Sequence, residues 1–170
     1  MEALIDDITT TGGSENLVFF VRLVGAALFG GLIGLEREMQ NHAAGLRTHI
    51  LVSLAAALFV IVSTEVPDLM PEVSDVLRID PTRVIQSITE GVAFLAAGIV
   101  FFQKGTVKGL TTGAGLWLSG AIGLTIGLGL WTLGIFSSVL GVIVLLVLHR
   151  IEVRTKLSRR KTKDNRSGEA

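Results

Sequence analysis

The chain has 170 residues, of which 49% are hydrophobic and only 18% are charged, with 15 basic residues against 15 acidic ones. This charge content is below the roughly 25% of an average soluble protein, so the composition indicates an integral membrane protein. Cysteine does not occur, which excludes a disulfide framework, a thiolate nucleophile and cysteine-ligated zinc. The charges are segregated along the chain, which argues against a nucleic-acid partner.

Apolar segments long enough for membrane-spanning helices, about 20 residues each, follow one another along the chain. The uncharged stretch 110–148 would be about 58 Å long as one helix, close to two crossings. Gly127-Leu128-Gly129 near its middle predicts a tight hairpin. With the segments 17–35, 50–63 and 84–102, this stretch predicts an all-α bundle of five transmembrane helices over residues 17–149.

The distribution of basic residues predicts the orientation of the bundle. With five spans, segments 36–48, 103–109 and 149–170 share one side and carry twelve Lys or Arg residues. The other side, residues 1–16 and 64–83, carries two. Basic loops mark the cytoplasmic side. We therefore expect an external acidic N-terminal segment (1–16) and a basic cytoplasmic tail (150–170), which would be attracted to anionic lipid.

Charged side chains inside the predicted spans form the first candidate site. Arg22 and Glu90 lie at similar depths in the first and third helices, and Arg83, Gln86 and Glu90 share one helix face. Ionisable residues inside a membrane are functional candidates, so this face could line a polar cavity or ion path opposite Arg22. Alternatively, Arg22 and Glu90 form a buried pair that fixes helix packing, or Arg22 extends outward to the interface.

The second candidate site lies where the first helix ends and the second begins. Alternating charges there predict a network of charge-assisted hydrogen bonds that clamps the two helices. Glu36 and Glu38 could instead offer carboxylate oxygens to Mg²⁺, for which Glu90 is a separate candidate ligand, but two nearby arginines favour the clamp. The residues of this cytoplasmic girdle are Glu36, Arg37, Glu38, Arg47, Thr48 and His49.

Other residues have predicted structural roles. Asp80 before Pro81 predicts an N-cap of the third helix, and Thr111 and Thr112 are expected to hydrogen-bond within the fourth. The acidic loop 65–80 could sense divalent cations or could be a solvated loop. Small residues four apart predict close helix contacts or self-association. These pairs are Gly30/Gly34, Ala93/Ala97, Gly109/Gly113, Gly123/Gly127 and Gly134/Ser138.

Three stretches together resemble the MgtC/SapB family of bacterial membrane proteins. They are GGLIGLERE (30–38) with AGLRTH (44–49), DPTR (80–83), and GVAFLAAG (91–98) followed by VKGLTT (107–112), which contains Lys108. The resemblance covers residues 20 to 148, and longer members also carry a soluble C-terminal domain. It implies a multi-pass inner-membrane protein linked to growth in low magnesium. For some members it implies survival inside host cells through contacts with membrane proteins such as ATP synthase.

Two functions are compatible with these features. Enzyme motifs are missing, so we expect a non-enzymatic regulator that contacts other membrane proteins and that forms a homodimer if the small-residue pairs self-associate. No cofactor is expected, with Mg²⁺ as a ligand or signal at most. The alternative is a transporter or channel for magnesium or another cation, with a polar path lined by the first and third helices.

Overall fold

The computed structural model describes residues 13–69, 80–103 and 106–167. The predicted N-terminal segment up to residue 12 and positions 70–79 of the acidic loop lie outside this range. The elements are α1 (Gly13–Met39), α2 (Leu46–Leu69), α3 (Pro81–Ile99), β1 (Phe101–Gln103), β2 (Thr106–Lys108), α4 (Leu110–Gly127) and α5 (Trp131–Ser167).

The five helices occupy the predicted segments, with two differences in what connects and follows them. The strands β1 and β2 form a small antiparallel pair between α3 and α4, where only a loop was expected. Helix α5 continues without a break to Ser167, so the basic segment that begins at residue 150 extends this helix. The hairpin at Gly127–Gly129 is present, and Gly129 adopts a φ of 81° that favours glycine.

Four helices, α1, α2, α4 and α5, are long and apolar enough to cross a membrane. Helix α3 is interrupted by polar residues and is not one of these four. Large apolar side chains face outward, as with Phe20 (66% exposed), Leu51 (63%) and Phe136 (64%), whereas His49 and Ser53 are fully buried. This arrangement is the reverse of a soluble protein and fits helices that face lipid, so the chain is a membrane protein.

Facing residues run in opposite order along consecutive helices, so these neighbours pack antiparallel. The contacting positions are Gly30–Ser53 and Gly34–His49 for α1 and α2, Gly120–Val92 and Gly113–Ala96 for α4 and α3, and Gly134–Ile126 and Gly141–Leu118 for α5 and α4. Helix α4 lies in the centre, where Leu116, Ile122 and Ile126 are fully buried.

Glycines let the backbones of α2 and α4 approach closely. A Cβ atom on Gly123 would lie 2.7 Å from the carbonyl carbon of Ser53, and one on Gly127 would lie 2.9 Å from the Cα of Ala57. The pair Gly123/Gly127 therefore lies at a helix contact, as its spacing predicts. The pair Ala93/Ala97, in contrast, is exposed on α3.

Candidate functional site

Arg37, in the last turn of α1, joins this helix to the start of α4. The side chain is only 4% exposed, and its Nη2 donates a buried hydrogen bond of 3.1 Å to the Thr112 hydroxyl. The hydrogen bond expected of Thr112 within α4 stays a prediction, because a hydroxyl that accepts this bond from α1 can still donate one. The residues Glu36, Arg37, His49 and Thr112 together define what we call the polar end of the bundle.

Glu36 is buried beside Arg37, and its charge is only partly compensated. Its Oε2 lies 4.0 Å from Nη1 of Arg37, at the outer limit of an ion pair. Gln40 donates a hydrogen bond to the other oxygen, Oε1. Oε2 has no hydrogen-bond partner among the described residues. Removing one member of a buried ion pair leaves the other without its partner, so Glu36 and Arg37 are expected to stabilise the fold as a pair.

His49 occupies the centre of the polar end and is fully buried. Its Nδ1 lies 2.8 Å from the carbonyl oxygen of Gly45, one turn earlier in α2, so this nitrogen carries the proton. The Nε2 atom faces α4, where a Cβ on Gly115 would lie 3.1 Å away. Gly115 therefore provides the space for the imidazole ring, a role that sequence reasoning missed because the two residues are far apart in the chain.

Glu38 binds the first amide of α2 and so connects the two helices of the predicted girdle. The backbone N–H of Leu46 donates to its Oε2 at 3.0 Å, and a carboxylate at a helix N-terminus is stabilised by the helix dipole. A side chain on Gly45 would overlap this carboxylate, which explains the glycine. Arg47 is exposed and Thr48 half-buried, and both lie outside this hydrogen-bonded group.

Arg22 binds the C-terminus of α4 at the opposite end of the bundle. Its Nη1 donates to the carbonyl oxygen of Gly127 at 3.1 Å, where the negative end of the helix dipole favours a cation. Glu90 instead accepts a hydrogen bond of 2.7 Å from Gln86 on an exposed surface. The prediction that Arg22 and Glu90 form a pair is therefore wrong. The prediction that they face each other across a polar cavity is also wrong.

The polar face of α3 points away from the other helices. Arg83, Gln86 and Glu90 are all exposed, while the opposite face packs on α4 through Ile88 and Val92. This separation follows from amphipathic periodicity, since polar residues seven apart share the face that the bundle leaves uncovered.

Asp80 caps the start of α3, at the position the sequence predicts. Its carboxylate accepts hydrogen bonds from the amide and the hydroxyl of Thr82, at 2.9 and 2.6 Å. These two bonds lower the pKa of the Asp80 carboxyl from its ordinary value. The residue therefore has a structural role at the helix entry.

A cavity of about 520 Å³ opens at the polar end between α1, α4 and α5. Partial desolvation lowers the pKa of the His42 imidazole there, and the charge of Arg37 lowers it further. Lys108 is exposed on β2, before the α4 segment that lines this cavity. The polar residues of the lining are Arg37, Gln40, His42, Thr111, His149 and Glu152.

Possible metal ligands do not form a cluster of three among the described residues. Within residues 13–69, 80–103 and 106–167, no group of three or more His, Asp or Glu residues could hold a metal ion. The two candidates Glu36 and Glu90 are separated, since the first contacts Arg37 and Gln40 and the second is exposed. The two candidate carboxylates therefore do not combine into one site.

Buried serine hydroxyls bind carbonyl oxygens of α1, a set of contacts that sequence reasoning missed. Ser53 donates to Ala26 and Ser138 to Phe29, each at 2.7 Å, while Ser119 lies 3.5 Å from the carbonyl of Gly30. Serines of α2, α4 and α5 thus contact the backbone of α1, and interhelical hydrogen bonds of this kind stabilise membrane bundles. Isolated serines in otherwise apolar runs were the available signal.

These features define a helical membrane protein with a buried, charged hydrogen-bond network at one end. The chain belongs to the MgtC family, whose profile matches residues 23–154. It is 41% identical over 140 residues to YhiD of Escherichia coli (strain K12), whose name proposes a magnesium transporter; the match covers 80% of this chain and 63% of YhiD.

Two further relatives have different coverage. The chain is 45% identical over 100 residues to the protein MgtC of Brucella abortus (strain 2308), which covers 59% of this chain and 38% of MgtC. It is 31% identical over 165 residues to an uncharacterized protein of Haemophilus influenzae, covering 93% and 68%. The chain thus spans less than two thirds of YhiD and of the Brucella protein. No solved structure matches it with comparable significance.

Proposed function

We propose that the protein is a non-enzymatic regulator of adaptation to low magnesium in the bacterial inner membrane, acting through contacts with other membrane proteins. The link to magnesium is supported by the name of YhiD and by the family. One observation favours a regulator over an ion conduit. Between Arg22 and Arg37, the described interior contains fully buried apolar side chains such as Ile33, Ile122 and Ile126, and its buried serine hydroxyls contact backbone carbonyls of α1.

The hydroxyls in this interior also support a regulator. The Ser53 hydroxyl donates a hydrogen bond to a backbone carbonyl of α1, so it joins two helices. Mg²⁺ gives up its waters reluctantly and needs several oxygen ligands or space for a hydrated ion. The contacts of the buried hydroxyls among the described residues therefore support a role in helix packing, as a regulator requires.

We further propose that α3 is a fifth span and that the C-terminus is cytoplasmic. Val92 and Ala96 of α3 lie against Gly120 and Gly113 of α4, so this part of α3 lies alongside a helix long enough to span the membrane. The excess of basic residues on one side supports the orientation. A fluorescent protein fused to the C-terminus should give signal, whereas activity of a periplasmic reporter at that position would contradict it.

We propose that the exposed side of α3 contacts a partner helix. This helix belongs either to another membrane protein or to a second copy of this chain. The family resemblance suggests ATP synthase as the other membrane protein. Phe94 on this helix is 85% exposed. A Cβ atom on Gly91 or Gly98 would have no neighbour within 4 Å. Small residues on an uncovered membrane helix allow another helix to approach closely.

Enlarging Gly91 tests this surface without disturbing the fold. In a strain that depends on this protein for growth in low magnesium, Gly91→Phe should abolish growth because the added ring would obstruct the close approach of a partner helix. The matched control is Val139→Phe, on the exposed side of α5, which should grow like wild type. Both variants should keep the wild-type melting temperature in detergent. Normal growth of the Gly91→Phe strain would contradict the proposal.

The second candidate is transport of magnesium. The name of YhiD favours it, as does the buried oxygen of Glu36 that has no hydrogen-bond partner among the described residues. The two candidates differ in whether the chain alone moves Mg²⁺ across a bilayer.

A further inference from the structure

Glu90 places a carboxylate at the middle of α3, on the side that the other helices leave uncovered. Val92 lies against Gly120 of the antiparallel helix α4, so Glu90 is level with Ile122. This level is five residues, or about 8 Å, before α4 ends at Gly127. With α3 as a fifth span, the carboxylate therefore lies within the hydrocarbon region and faces outward.

The charge of Glu90 is not compensated within the described part of the chain. Gln86, which is neutral, donates a hydrogen bond of 2.7 Å to Oε1, and Oε2 has no hydrogen-bond partner there. Arg83 shares this helix face but lies seven residues earlier, about 10 Å along the axis, and no ion pair joins the two described side chains. Ionisable residues in membrane helices are almost always paired, so this face favours a partner that brings a cation.

A second copy of this chain does not supply that cation. Two copies inserted in the same orientation are related by an axis along the membrane normal, so a two-fold contact through α3 places Glu90 opposite Glu90. Like charges at this distance repel each other. Outside α3, the described basic residue near this depth is Arg22, whose side chain already donates to the carbonyl oxygen of Gly127. These charges favour a different membrane protein over a second copy.

We propose that Glu90 forms an ion pair with a lysine or arginine in a transmembrane helix of a different membrane protein, which packs on the exposed side of α3. Gln86 holds one oxygen of the carboxylate and leaves the other for the partner's cation. This inference rests on the proposed contact through α3 and adds the chemistry of the partner to it.

Growth in low magnesium of a strain that depends on this protein tests the charge of Glu90. Glu90→Gln keeps the shape of the side chain but leaves the partner's cation unpaired, so we expect loss of growth. Glu90→Asp keeps the charge and should grow. The matched control Glu65→Gln removes the same charge near the C-terminal end of α2 and should grow like wild type. All three variants should keep the wild-type melting temperature in detergent.

Comparison with Gly91→Phe separates this inference from the proposed contact. Normal growth of Glu90→Gln together with loss of growth by Gly91→Phe would overturn the ion pair and leave the contact through α3 standing. Normal growth of both variants would overturn both proposals. Loss of growth by Glu65→Gln as well would overturn the specific role of Glu90.

Charge reversal identifies the kind of partner. Glu90→Arg should abolish growth, and growth should return through second-site substitutions that replace a lysine or arginine by an acidic residue in a transmembrane helix of another protein. A saturating selection that yields suppressors only in this chain, or none, would overturn the proposal.

A single cysteine on the same face tests the second copy. The chain has no cysteine of its own, and Ala97 is exposed seven residues after Glu90. Oxidation of Ala97→Cys in native membranes should therefore give no disulfide-linked homodimer. A homodimer that forms in high yield would overturn the assignment to a different protein.

Discussion

Gly123→Ala tests the close packing of α2 against α4. A Cβ at this position would lie 2.7 and 2.8 Å from the carbonyl carbon and Cα of Ser53, closer than the 3.0 Å that real contacts respect. Backbone atoms cannot rotate away, so α2 must move as a unit. Such overpacking typically costs about 1–3 kcal/mol. The higher helix propensity of alanine returns about 1 kcal/mol, so we expect a net loss of up to about 2 kcal/mol.

The matched control is Gly91→Ala, at a helical glycine with no atom within 4 Å of the added carbon. Only the propensity gain applies there, so this variant should be as stable as wild type or more stable. Thermal unfolding in detergent, followed by circular dichroism, gives both melting temperatures. Equal shifts for Gly123→Ala and Gly91→Ala would refute the close contact between the two backbones.

Three further substitutions test the charged and hydrogen-bonded positions. Arg22→Leu should cost about 1–3 kcal/mol, because the Gly127 carbonyl of α4 loses its hydrogen-bond donor. Its effect on stability should add to that of Glu90→Leu, since the two residues do not pair. A double mutant that recovers stability would show that they are coupled. Thr112→Val should destabilise by a similar amount because Arg37 loses its acceptor, whereas Thr112→Ser should not. The melting temperatures of wild type and Asp80→Ala should converge as the pH falls below about 4. The reason is that a carboxyl with a lowered pKa stabilises the folded protein only while it is ionised. A difference in melting temperature that does not depend on pH would contradict this.

Hydropathy and local chemistry predict much of this fold. Uninterrupted apolar runs locate the helices, the Asp80-Pro81 pair locates the start of α3, and glycines locate the α4–α5 hairpin. These features are local, so a sequence reveals them directly. The continuation of α5 through basic residues was not predicted, because charge alone does not determine whether a segment remains helical.

The partners of the charged residues were harder to predict. Similar depth suggested that Arg22 and Glu90 pair, but depth does not determine how a helix is rotated about its axis, and Glu90 lies on the outward face of α3. The acceptor for Arg22 is a backbone carbonyl, which has no signature in a sequence. The girdle of Glu36, Arg37 and His49 was predicted as a cluster, whereas Thr112 joins it from a distant segment through tertiary packing.

Magnesium flux into liposomes that contain only this protein tests most directly whether the bundle is a regulator or a conduit. A magnesium-sensitive dye inside the vesicles reports uptake, with protein-free vesicles and an ionophore as controls. Because the described interior between Arg22 and Arg37 contains closely packed apolar side chains and serine hydroxyls that contact the backbone of α1, we expect uptake equal to that of protein-free vesicles. Saturable, protein-dependent uptake that Glu36→Gln reduces would contradict this expectation and establish transport.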